Sequence, residues 1–125
     1  MKRIINTEQA PKAVGPYSQA VEVNNTLYVS GQLPINPETG NFVGNDVKEQ
    51  AKQVLQNVGN ILDAAGYSFN DVVKSTVLLK NIGDFSSVNE IYATFYGDSL
   101  PARATYEVAN LPMGALVEIE TVAAK

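Results

Sequence analysis

Apolar residues recur at Val47, Ala51, Val54, Leu55, Val58, Ile61, Leu62 and Ala65, the three-and-four spacing of an amphipathic helix with one buried stripe. Asp46, with Glu49 three positions on, makes a capping-box-like start, and Gly66 supplies a natural stop. The pattern therefore predicts a helix over 46–65. A second stripe, Phe85, Val88, Tyr92 and Phe95, predicts a helix over 84–96, with Asp84 as its N-cap and Gly97 at its end. Between and around these helices lie runs rich in β-branched and aromatic residues, at 17–23, 26–33, 72–80, 100–109 and 116–123. Asn24-Asn25 tolerates positive φ and predicts a hairpin between the first two runs; the segment 33–40, with two prolines and a glycine, reads as a loop. This order fits two helices on one face of a mixed sheet, an α/β (α+β) architecture. No third layer remains to cover the other face, so self-association through it is the economical solution.

At 125 residues the expectation is one domain spanning 1–125. The chain contains no cysteine and no histidine. That removes disulfides, thiol nucleophiles and thiolate zinc sites, together with Ser-His triads and imidazole ligands. A net charge of −4 and seven scattered lysines oppose nucleic-acid binding, which uses a basic patch. No run approaches the length of a membrane span, and the start of the chain is too short and polar for a signal peptide. A cytoplasmic protein without membrane or nucleic-acid partners is the expectation. No metal or cofactor is called for by the residues present.

The inventory leaves carboxylates, hydroxyls, backbone amides, lysines and one arginine of interest. Of the two arginines, Arg3 reads as part of an N-terminal tail, whereas Arg103 lies in the predicted strand Pro101-Ala102-Arg103-Ala104-Thr105-Tyr106-Glu107-Val108. A guanidinium is always charged and presents a rigid fork suited to carboxylate or phosphate. Strand alternation puts Arg103, Thr105 and Glu107 on one face, and Glu118 and Glu120 share a face of the last strand. If these two strands pair antiparallel, the arginine and the glutamates share a surface; the irregular loop between them leaves the register open. A site for an anionic substrate with a carboxylate handling water is one reading. An Arg–Glu ion pair across strands or subunits is the commoner role on residue evidence alone. Tyr92, Phe95 and Tyr96 read as packing residues of the core and interface.

Pro101-Ala102-Arg103, Glu107-Val108-Ala109, Leu111-Pro112 and Val117-Glu118-Ile119 resemble the C-terminal signature of the RidA (YjgF) family. Gly15-Pro16-Tyr17-Ser18-Gln19-Ala20, Ser30-Gly31-Gln32-Leu33-Pro34, Asn57-Val58, Val73-Lys74-Ser75-Thr76-Val77 and Val88-Asn89-Glu90-Ile91-Tyr92 are similar to its other segments. The resemblance implies a chorismate-mutase-like sheet with two helices on one face, three protomers closing a central barrel, and active sites between subunits. It implies an enamine/imine deaminase that hydrolyses 2-iminopropanoate and 2-iminobutanoate to 2-oxo acids and ammonia. Such imines are released by pyridoxal-phosphate-dependent serine and threonine dehydratases. On the same ground Arg103 would bind the substrate carboxylate and Glu118 would activate water, with Tyr17, Ser30, Gly31 and Asn89 lining the pocket. Thr105 stands where many relatives carry cysteine, a departure that removes any role needing a thiol. A trimer that binds carboxylate metabolites without turning them over, in a regulatory role, is the alternative.

Overall fold

The computed structural model describes all 125 residues. Eight regular elements follow one another as β1 (Arg3–Ile5), β2 (Ala20–Val23), β3 (Thr26–Gln32), α1 (Val47–Ala65), β4 (Val72–Leu79), α2 (Phe85–Tyr96), β5 (Ala102–Glu107) and β6 (Val117–Ala124). The strands form one six-stranded sheet in the order β1-β2-β3-β6-β4-β5. All neighbours are antiparallel except β4 and β5, which run parallel on either side of α2. The mixed sheet with two helices matches the expected fold class. No helix is long and apolar enough to cross a membrane.

Local chemistry accounts for most boundaries. The Asp46 side chain accepts from the Glu49 amide, and Gly66 ends α1 in the left-handed region at φ 84°, where a Cβ would be strained. Asn24 and Asn25 both take positive φ, which closes the β2–β3 hairpin with the twist its strands require. Two expectations need correction. Asp84 stands at the N-cap of α2 as expected, but its side chain makes no capping bond, and the chain enters the helix through a single 3₁₀ turn, Ile82–Asp84. Arg3 is no tail residue: β1 pairs with β2, and the guanidinium contacts Glu22 at 2.9 Å and the Ala65 carbonyl at 3.0 Å.

Residues in register share a face of a sheet, so the pairing defines two surfaces. Leu27, Val29, Ser75, Val77, Leu79, Val117, Ile119, Thr121 and Ala123 are buried beneath the helices. Against them pack Ala51, Val54, Leu55, Val58, Ile61 and Leu62 of α1, all fully buried. Each of the Val, Leu and Ile side chains contributes about 1.5–3 kcal/mol on leaving water. The opposite face, with Ile4, Tyr28 and Tyr106 among its exposed residues, is covered by nothing in this chain.

Buried amides tie the loops to this frame. Asn57, fully buried in α1, donates to the carbonyls of Leu33 (3.1 Å) and Ile35 (2.9 Å) just beyond β3. Gln50 donates to Gly44 and accepts from the Leu116 amide. Replacing Asn57 by Ala removes the donor from two loop carbonyls, which costs about 1–3 kcal/mol where a buried group is left unpaired. The expected outcome is a lower urea midpoint at unchanged slope, read by circular dichroism.

Candidate functional site

Strand β4 decides where the candidate residues point. Arg103 of β5 is in register with Ser75, and Ser75 with Thr121 of β6. Ser75 and Thr121 are buried under the helices, so Arg103 projects to that same face, at the sheet edge. There its guanidinium carbon lies 4.9 Å from the ring centre of Tyr92 and 5.5 Å from that of Phe85, both on α2. Asn89 stands on the same strip of the helix, four residues after Phe85 and three before Tyr92. Thr105 follows Arg103 on the same face, opposite Val77.

No carboxylate meets this arginine. The ion pairs of the chain are Arg3–Glu22 and Lys48–Glu90, and Glu107 accepts instead from the Ile82 amide at 2.9 Å. The half-buried guanidinium is thus seated on aromatic faces, with its hydrogen-bonding fork unspent. The ion-pair reading of Arg103 finds no partner within the protomer.

Glu118 belongs to a second cluster. It is in register with Leu78 of β4, which in turn opposes Tyr106 of β5; these residues lie on the open face. The antiparallel pairing of the last two strands that would have put the arginine and the glutamates on one surface is absent, because β4 lies between them. Arg103 and Glu118 consequently occupy opposite faces of the sheet. Beside Glu118, the pairing of β3 and β6 slips between Val29 and Gln32, at Ser30-Gly31. A Cβ on Gly31 would stand 2.9 Å from Cδ and 3.2 Å from Cγ of Glu118, so any side chain there would displace the carboxylate from where it rests. Ser30 Oγ donates to the Ser18 carbonyl at 2.6 Å and its amide to the Gln19 carbonyl at 2.9 Å. These bonds fasten the segment carrying exposed Tyr17 to the same end of β3. Gln19 is itself clamped, donating to the carbonyls of Thr7, Ala10 and Pro11.

The seven candidates thus separate into Arg103, Thr105 and Asn89 on one side, and Glu118, Gly31, Ser30 and Tyr17 on the other. Phe85 and Tyr92 were missed as partners of Arg103. Their seven-residue spacing around Asn89 was a usable signal, but apolar stripes on helices ordinarily mean core.

Burial holds the Glu118 carboxyl above the usual carboxylate value, and the negative charge of Glu120 adds to the effect. Its protonated form therefore persists to higher pH than that of a free glutamate. In a carboxyl-resonance NMR titration, Glu118 is expected to titrate above 4.5, and Glu120→Gln to move it down. A Glu118 midpoint unmoved by that substitution would contradict the coupling.

Comparison with known proteins adds to this geometry. The family model described as Endoribonuclease L-PSP matches residues 7–125. A mouse protein named 2-iminobutanoate/2-iminopropanoate deaminase is 55% identical over 123 residues, covering 98% of this chain and 91% of the mouse protein. The crystal structure of RidA from the Antarctic bacterium Psychrobacter sp. superposes with a TM-score of 0.95 at 47% identity, over 98% of this chain and 99% of that one. The crystal structure of E. coli TdcF with bound serine gives 0.94 at 40% identity, over 98% of both chains.

Proposed function

The chain belongs to the endoribonuclease L-PSP (RidA) family, and from that premise we propose that it is a single-domain imine deaminase converting small 2-imino acids to 2-oxo acids and ammonia. The preferred substrates in this reading are 2-iminopropanoate and 2-iminobutanoate. The observation that carries it is Arg103: a guanidinium seated on two rings, in neither of the chain's ion pairs. A cation so placed offers both arms of its fork to a substrate carboxylate. The deaminase name of relatives at about 55% identity supplies the chemistry.

The substrate carboxylate binds Arg103 as a bidentate pair, which fixes the position of the adjacent C2=N bond. Glu118 accepts a proton from a water as the water oxygen bonds to C2 and the imine nitrogen takes up a proton. The resulting tetrahedral carbinolamine collapses: Glu118 returns its proton to the amino nitrogen, the C–N bond breaks to release ammonia, and the hydroxyl gives up its proton to water as its oxygen forms the carbonyl of the 2-oxo acid. Glu118's raised affinity for a proton suits it to take and return that proton near neutrality better than an ordinary carboxylate would.

Arg103 and Glu118 lie on opposite faces of their own sheet, so in this reading the site joins two protomers. Three copies pack their open faces into a central barrel, and the Arg103 edge of one meets the Glu118, Gly31, Ser30 and Tyr17 cluster of the next. Exposed Tyr28, Tyr106 and Ile4 on the uncovered face support such packing. The same reading puts the enzyme in the cytoplasm, downstream of pyridoxal-phosphate-dependent serine and threonine dehydratases. A nuclease role, which the family description evokes, draws little from a chain with net charge −4 and no histidine. A regulatory trimer that binds but does not convert carboxylate metabolites is the second reading, and a relative with bound serine is the observation in its favour.

The test is imine hydrolysis followed by competition with semicarbazide while an amino-acid oxidase or threonine dehydratase generates the imine. The wild-type protein should suppress semicarbazone formation, and Arg103→Ala should lose that activity at least roughly 100-fold, the worth of two charge-assisted hydrogen bonds. Glu118→Gln should lower turnover more than affinity for a 2-oxo acid. Normal turnover in Arg103→Ala would sink the assignment; binding without any turnover in the wild type would favour the regulator. Mixing unfolded Arg103→Ala and Glu118→Gln chains and refolding them together should restore turnover, because some interfaces then pair an intact arginine with an intact glutamate. Light scattering should give three times the 13.4 kDa chain mass.

A further inference from the structure

We infer that Tyr92 and Phe85 are the positioning residues that aim Arg103, holding its charge over their rings while no carboxylate or carbonyl of the chain occupies its fork, which is left for the ligand. The inference rests on the deaminase reading above and extends it to residues that touch no reacting atom.

An arginine side chain has many rotamers, and ordering it before the substrate arrives needs some restraint. The usual restraint is a carboxylate, which would also neutralise the charge and occupy the fork. Neither of the chain's ion pairs includes Arg103, and the nearest glutamate along its strand face, Glu107, is engaged by the Ile82 amide. The two rings lie 4.9 and 5.5 Å from the guanidinium carbon, within the range of cation–π attraction, which strengthens as water is excluded. Attraction of this kind restrains the cation without spending its hydrogen bonds on an oxygen acceptor.

The rings are themselves held. Tyr92 stacks on Tyr96 with centroids 4.5 Å apart, and Tyr96 meets Phe69 edge-on at 5.0 Å. Phe69 in turn packs on Phe95 at 5.7 Å. A continuous row of aromatic rings therefore runs from half-buried Phe95 and Phe69 through buried Tyr96 and Tyr92 to Arg103. This packing holds the Tyr92 ring, whose hydroxyl lies near those of Ser75 and Tyr96 without reaching hydrogen-bond geometry. The hydroxyls of Ser75, Tyr92, Tyr96 and Thr121 are buried close together, and none makes a well-formed hydrogen bond. This separates ring from hydroxyl experimentally, because removing the hydroxyl of Tyr92 breaks no established bond.

The experiment is calorimetric binding of 2-oxobutanoate, alongside kcat and KM for imine hydrolysis, in assembled wild-type, Arg103→Ala, Tyr92→Phe, Tyr92→Leu and Phe85→Leu proteins. Tyr92→Phe should bind within about twofold of wild type. Tyr92→Leu should bind about tenfold more weakly and Phe85→Leu severalfold. In both leucine variants KM should rise while kcat stays within about twofold, a split that general loss of folded protein would not produce. Phe85 is 38% exposed, so its variant keeps the test alive if Tyr92→Leu does not fold. Wild-type affinity in Phe85→Leu and in folded Tyr92→Leu would overturn the inference. So would a Tyr92→Phe protein as impaired as Tyr92→Leu, since the hydroxyl and not the ring would then matter. Arg103→Ala separates the two levels. If it binds like wild type, the site assignment falls and this inference with it; if it alone loses binding, only the role of the rings is refuted.

Discussion

Strand β4 hydrogen-bonds to β5 on one side and β6 on the other, and this shared pairing sets the direction of every candidate side chain. Ser75 and Leu78 stand three apart on β4 and so face opposite ways. Through register, Ser75 sends Arg103 toward the helices and Leu78 sends Glu118 to the open side. The parallel step from β4 to β5 requires a crossover, and α2 supplies it. Because α2 then lies beside the strand it delivers, Phe85, Asn89 and Tyr92 come to rest against the arginine. One topological choice thus builds half a site and separates it from the other half.

The two halves are prepared by different physics. Around Arg103 a charge is stabilised by aromatic faces, a weak attraction that leaves hydrogen bonding unsatisfied and available. Around Glu118 partial burial and the neighbouring Glu120 disfavour the charged form, so the carboxylate gains basicity. Gly31 belongs to that preparation, since any Cβ would displace the carboxylate. Both arrangements keep stabilising partners away from the functional group, and both are tolerated because the frame beneath them is tightly packed. Fully buried α1 residues and the amides of Gln19, Gln50 and Asn57 hold the loops without calling on either arginine fork or Glu118.

Far from these clusters, Arg3 shows what a paired arginine looks like in the same chain. It donates to Glu22, whose other oxygen accepts from Tyr67 at 2.6 Å, and it reaches the carbonyl end of α1. The Glu22 carboxyl is held below its ordinary value, first by Arg3 and then by Tyr67. Any stability this contributes is present above the unfolded carboxylate pKa and fades as pH falls through the lowered one. Both arginines stand on edge strands; the contrast lies in their partners, since Arg3 meets a carboxylate and a carbonyl whereas Arg103 meets only aromatic rings and keeps its fork free.

Local features were legible in the amino acids. Helix α1 followed from an eight-residue apolar stripe with Asp46 and Gly66 at its ends, the hairpin from Asn24-Asn25, and the singular nature of Arg103 from a chain without histidine or cysteine. These depend on periodicity, backbone preference and inventory, all of which act within a few residues. Strand partners are another matter. A strand's sequence specifies which residues alternate but not which neighbour it joins, so the insertion of β4 between β5 and β6 was invisible, as were the pairing of β1 and the opposed faces of Arg103 and Glu118. The seating of Arg103 on Phe85 and Tyr92 was hidden for the same reason. Contacts across ten or more residues are settled by the competition of whole-sheet arrangements to bury one face, and only the folded chain records which arrangement won.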